Sequence, residues 1–130
     1  MSAKSTSVVD ANAIVSLLLG RERANFERAR AFFQQVREGT RSAYLPAAVV
    51  AECVYVLTKV YEVSRSDAAG KLLALLDYRG VIAEVNAIRL ALTLYRDHKV
   101  DFVDAYVAAI ARERGYGVFS FDRDLERLAK

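Results

Sequence analysis

A chain of 130 residues, 54% hydrophobic and 27% charged, fits a single globular domain over residues 1–130 that buries roughly two-thirds of its unfolded surface and needs neither a disulfide framework nor a structural zinc to hold it. Its one cysteine, Cys53, has no internal partner and sits among apolar neighbours, as a buried thiol does; the one histidine, His98, reads as a solvated residue near a helix end. The longest apolar run, Ile14 to Leu19, is too short to cross a bilayer, and Met1 to Thr6 has no apolar signal core, so a cytoplasmic protein without a membrane role is expected. Net charge is +3, and 14 of the 19 basic residues are Arg. The guanidinium fork suits phosphate oxygens, although runs such as Arg21-Glu22-Arg23 are equally well read as solvated helix faces.

In chain order, Ser5 to Val9 reads as a short β-branched strand followed by a helix over 12–19. Residues 24–38 carry Phe26, Ala29, Phe32, Phe33 and Val36 at helical spacing and close on Gly39. Ser42 to Leu45 is a brief strand. Pro46 suits a helix's first turn, and the apolar face running from Val49 to Val60 predicts a helix through residue 60. Ser66 is a plausible N-cap for the next helix, Val81 to Val85 reads as strand, and helices are predicted over 86–97 and 102–114, the latter closed by Gly115. Gly117 to Phe121 then reads as strand and Asp124 to Lys130 as a final helix. Short strands alternating with helices predict a three-layer α/β/α fold around a small, mainly parallel sheet of four to five strands.

Four carboxylates stand out against this frame: Asp10, Glu52, Asp104 and Asp122, each beside or inside an apolar stretch. Asp10 and Asp122 directly follow predicted strands, and the carboxyl ends of parallel strands are where ligands bind in open α/β sheets. Each Asp also has a plain reading as a helix N-cap, and Asp101 with Asp104 has the spacing of a capping box. Glu52 escapes that reading, because it lies inside its helix between Val49 and Val56 and is expected to face the core or a cleft. Gathered carboxylates repel one another and raise each other's pKa unless a cation intervenes, and oxygen-only ligands suit Mg²⁺ or Mn²⁺.

The set Val9-Asp10-Ala11-Asn12, Ala51-Glu52, Asp101-Phe102-Val103-Asp104-Ala105 and Phe119-Ser120-Phe121-Asp122-Arg123-Asp124-Leu125 resembles the PIN-domain nucleases, and among them the small VapC-like toxins of bacterial toxin–antitoxin pairs. The first two acids are 42 positions apart and the last two 18, so the resemblance covers nearly the whole chain. It implies a PIN-like fold, a Mg²⁺- or Mn²⁺-dependent endoribonuclease, a homodimer and, for the toxin branch, inhibition by a cognate antitoxin. Carried over residue by residue, Asp10, Glu52, Asp104 and Asp122 match the family's catalytic, metal-binding quartet and Asp101 an additional acid found in many members; Asn12 and Ser120 match polar positions that help order the site. Ser120 stands where Thr is common. The chain ends soon after its last helix, which leaves the final edge strand in doubt. Two alternatives stay open: a phosphatase or phosphoacceptor of the haloacid-dehalogenase type using Asp10, although Asn12 stands where that pattern wants a second Asp, and a PIN-like domain that only binds RNA or a partner.

Overall fold

The computed structural model describes residues 5–130, so the first four positions of the N-terminal stretch lie outside it. Three strands, β1 (Thr6–Val8), β2 (Ser42–Tyr44) and β3 (Val81–Ile82), form one parallel sheet with β2 in the centre, Ser7 beside Ala43 and Ala43 beside Val81. Parallel neighbours need long crossovers. Here α1 (Ala11–Leu19) and α2 (Arg23–Glu38) connect β1 to β2, while α3 (Ala47–Tyr55), a π-helical turn (Val56–Val60) and α4 (Arg65–Leu76) connect β2 to β3. Three further helices complete the described chain: α5 (Val85–Asp97), α6 (Phe102–Arg114) and α7 (Arg123–Leu128). The α/β class expected from the alternation is the one found.

The core follows from the apolar spacing. On α5, Ile88, Ala91, Leu92 and Tyr95 are buried at i, i+3, i+4 and i+7, a stripe facing α4 and α6. On α6 the buried positions after Phe102 are Ala105, Ala108, Ala109 and Ala111, small side chains that let α5 approach closely. Among the described residues no helix is long and apolar enough to cross a membrane.

Among the described residues the sheet has three strands where four to five were expected, and the missing one is Gly117 to Phe121, which forms no ladder. Its alternation is strand-like, since Val118 and Ser120 are half-buried while Phe119 and Phe121 are 92% and 96% exposed. Strand propensity reflects packing on a pleated surface rather than an intrinsic backbone preference, and this segment makes no pairing with the open edge of β1. Smaller shifts have local causes. Helix α4 is capped by Ser64, whose Oγ accepts the Asp67 N–H at 3.0 Å, rather than by Ser66. Strand β3 stops at Ile82 because α5 begins at Val85. Gly39 and Gly115 take the left-handed conformation expected of them, at φ 83° and 69°.

Gly80 holds the junction between α2 and the sheet. It is buried, donates its N–H to the Val36 carbonyl at 2.8 Å and accepts from Ala43 at 2.9 Å. A Cβ there would lie 2.8 Å from the Val36 oxygen and inside the van der Waals surface of the Arg41 carbonyl. Both obstacles are backbone, so neither can rotate away. Gly80→Ala is expected to destabilise the fold by about 1–3 kcal/mol, read as a lower urea midpoint at unchanged slope.

Candidate active site

The carboxyl ends of β1 and β2 lead directly into Asp10 and into Pro46, which heads α3. Asp10 caps α1: its Oδ1 accepts the Ala13 N–H at 3.0 Å. Its exposed carboxylate opens on a cavity of about 440 Å³ shared with Asn12, Ser16, Asn25 and Arg28, so Asn12 stands beside the acid it was expected to support. Asp122 likewise caps α7, accepting from Asp124 at 2.9 Å and Leu125 at 3.3 Å, while its own N–H donates to the Ser120 Oγ at 3.0 Å. Capping therefore accounts for one oxygen of each of these two Asp residues. It does not account for Asp101, whose side chain makes no cap bond, and no capping box forms with Asp104.

Glu52 is exposed rather than turned to the core. The buried stripe of its helix runs through Val50, Cys53, Val54 and Leu57, leaving Val49 and Val56 half-buried at the margin and Glu52 beyond it. Its charge still reaches inward. Burial first, then the charges of Glu52 and Asp10, push the Cys53 thiol up to about 12, which brings two acids distant in sequence to bear on one sulfur. Cys53 is 0% exposed. Native protein at pH 8 is expected to resist iodoacetamide and to be alkylated only on unfolding, because the neutral buried thiol is both inaccessible and unreactive; mass spectrometry of the intact chain reads the result.

Asp101 and Asp104 line a second cavity, of about 500 Å³, between the head of α6 and the α3 side of the molecule. Asp104 is half-buried and Asp101 exposed. The same cavity is lined by Tyr55, Thr58, Lys59 and Arg65, four residues that sequence reasoning did not single out. The only sequence trace of them is Tyr55 and Lys59, four apart on a helix. Thr58 Oγ1 donates to the Val54 carbonyl at 2.7 Å within the π-helical turn, a local widening often found at functional sites. Arg65 is committed: one guanidinium nitrogen donates to the carbonyls of Tyr95 at 2.7 Å, His98 at 3.3 Å and Val100 at 2.7 Å, and the group lies 4.0 Å from the centre of the Tyr95 ring. His98 itself is exposed at the end of α5.

A contrasting carboxylate shows what partnership looks like in this molecule. Glu84, just past β3, accepts from the Tyr106 hydroxyl and pairs with Arg114 at 2.9 Å. Among the described residues none of Asp10, Glu52, Asp101, Asp104 and Asp122 has an ion pair. Asp10, Asp101 and Asp122 stand instead at helix N-termini, where the positive end of the helix offsets a negative charge by about 0.3–1 kcal/mol.

The donor chemistry, carboxylate oxygen without a competing cation, fits a hard divalent ion. The geometry supplies the acids in parts: Asp10 at the head of α1, Glu52 on the exposed side of α3, Asp101 with Asp104 lining one cavity, and Asp122 at the head of α7. Among the described residues no group of three or more His, Cys, Asp or Glu side chains converges closely enough to hold a metal. The place of Asp122 follows from the missing strand, since the segment expected to deliver it to the sheet edge does not join the sheet.

No curated protein matches the sequence significantly. The family model for the PIN domain matches residues 7–130, nearly the whole chain, so the protein belongs to the PIN-domain family, whose members are typically metal-dependent nucleases.

Proposed function

We propose that the protein is a Mg²⁺- or Mn²⁺-dependent endoribonuclease that hydrolyses RNA phosphodiester bonds, and that it is the VapC-like toxin of a toxin–antitoxin pair. What supports this reading is the PIN-domain family match over residues 7–130 together with the placement of Asp10, Asp101, Asp104 and Asp122 at the heads of α1, α6 and α7 and of Glu52 on α3, none of them, among the described residues, in an ion pair. Asp10 and Asp104 would be the direct ligands, Glu52 and Asp122 direct or water-mediated ones, and Asp101 a supporting acid. When bound, a divalent ion lowers the pKa of a water and offsets charge on the phosphoryl group. The protein's own part is orientation. Asp10 is fixed by the Ala13 N–H through one oxygen, leaving the other to hold a water or ion, and Ser120 and the α7 amides fix Asp122 in the same way.

The phosphatase alternative gains nothing here, because Asn12 stands where a second acid would be required and the family match is to the PIN domain. The binding-only alternative is disfavoured by the presence of all four acids. A homodimer and a cognate antitoxin belong to the same proposal; the exposed Phe119 and Phe121, in edge contact at 5.6 Å, supply apolar surface of the kind protein partners cover.

Purified protein stripped with EDTA is expected to lose all cleavage of labelled RNA and to regain it with Mn²⁺ or Mg²⁺, leaving 5′-phosphate and 3′-hydroxyl ends. Cleavage that persists in EDTA would sink the metal assignment. Growth arrest on expression, absent with Asp104→Asn, tests the toxin assignment, and sedimentation at the mass of two chains tests the dimer.

A further inference from the structure

We propose that the cavity between Tyr55–Lys59 and the head of α6 seats one unstacked nucleotide of a single-stranded RNA, with its base on the Tyr55 ring and a phosphate on Lys59. The inference rests on the ribonuclease reading and names two residues that would hold its substrate.

Three observations converge there. The cavity, about 500 Å³, lies in the range of sites that enclose a small ligand. Its aromatic residues divide sharply: Tyr95 and Phe102 are each 5% exposed and pack edge to face, whereas Tyr55 is 62% exposed. Among the described residues the Tyr55 ring packs on no other ring and lies under no guanidinium. An exposed ring on a polar cavity offers a π face that every nucleobase can use.

The cations divide in the same manner. Arg65 is held by three backbone carbonyls and the Tyr95 ring, and has no donor geometry left over for a phosphate on that nitrogen. Lys59 is exposed and, among the described residues, makes no ion pair. It lines a cavity whose lining also includes Asp101 and Asp104. Two carboxylates repel a phosphodiester, so an uncommitted ammonium in the same cavity is what allows the backbone to approach.

A base can reach such a cavity only when it is out of the helical stack. Duplex RNA hides its bases in a deep, narrow major groove, and recognition of splayed bases by aromatic stacking is a property of single strands and loops. The chemistry therefore selects a single-stranded segment.

The test uses Asp104→Asn protein, so that RNA survives the titration, and the fluorescence anisotropy of a short labelled single strand in Mg²⁺. Tyr55→Ala is expected to weaken binding about five- to 100-fold, as loss of one stacked base does, while Tyr55→Phe binds like the parent. Lys59→Ala is expected to reduce the slope of log K against log salt by about one, with Lys59→Arg restoring it. The same strand annealed into a duplex binds more weakly and indifferently to Tyr55. Both residues are exposed, and matching thermal melts establish that the variants are folded. If the parent cleaves RNA while Tyr55→Ala and Lys59→Ala bind and cleave as it does, the subsite is wrong and the nuclease reading stands. If duplex binds as tightly as single strand, the substrate class is wrong. If the parent neither binds nor cleaves any RNA, both proposals fall together.

Discussion

Asp10→Asn is expected to leave the protein folded and to lower its RNA cleavage rate at least about 100-fold, the upper end of what even a residue supporting a metal ligand costs. The substitution separates two roles that one side chain performs. As a cap, Asp10 accepts the Ala13 N–H through Oδ1, and the side-chain oxygen of Asn accepts the same bond equally well. As a ligand, Asp10 contributes a negative charge and an anionic oxygen, both of which Asn lacks. Thermal unfolding should therefore hold while single-turnover cleavage falls. Asp10→Ala would confuse the two, because losing the cap alone costs about 1 kcal/mol. If the Asn variant cut as fast as the parent, the carboxylate assignment would be wrong. Asp122→Asn belongs in the same series, since it too keeps its cap on α7. A loss as large as that of Asp10→Asn would mean that Asp122 joins the other acids in the working state, although it stands at the head of α7 here.

The helices were legible where their apolar stripe and caps agreed. Residues 102–114 came out to the residue, with Gly115 in the left-handed conformation, and residues 24–38 differed by one. The strands were less so, because three- and two-residue strands carry too little period to separate a ladder from an extended loop. Gly117 to Phe121 has the alternation but not the ladder, and pairing is a property of the neighbour rather than of the segment. Glu52 failed for a related reason. Val49 and Val56 suggested an inward face, yet the helix had a second, better apolar stripe through Val50, Cys53 and Leu57, and only packing decides which one turns in. The acids drew notice in the sequence because carboxylates in apolar company are conspicuous, and among the described residues they stand at helix heads and on α3 without converging. Arg65, Lys59 and Tyr55 could not, since an arginine at a helix start and a lysine four residues after a tyrosine describe countless solvated helices.

Arg65→Ala is expected to cost about 3 kcal/mol of stability and to impair cleavage without touching the acids. Hydrogen bonds from a charged donor contribute about 1.5–3 kcal/mol each, and Arg65 makes two at 2.7 Å and a longer third to the end of α5 and the loop after it. A guanidinium is also well placed against the negative end of that helix, and its flat face meets the Tyr95 ring. Lysine supplies one compact ammonium in place of the planar fork, so Arg65→Lys should recover only part of the loss. The functional consequence runs through position. The carbonyls that Arg65 gathers belong to Tyr95, His98 and Val100, and the next residue is Asp101, with Asp104 one turn further on. Releasing that loop frees the head of α6, and a misplacement of about 1 Å at a reacting centre can cost on the order of 100-fold in rate. Urea unfolding gives the stability change, and amide exchange at residues 99–104 reports the loosened loop at temperatures where the protein is still folded. A variant that unfolds within about 1 kcal/mol of the parent and cleaves at its rate would remove Arg65 from this role, leaving the half-buried guanidinium without a function in placing the acids.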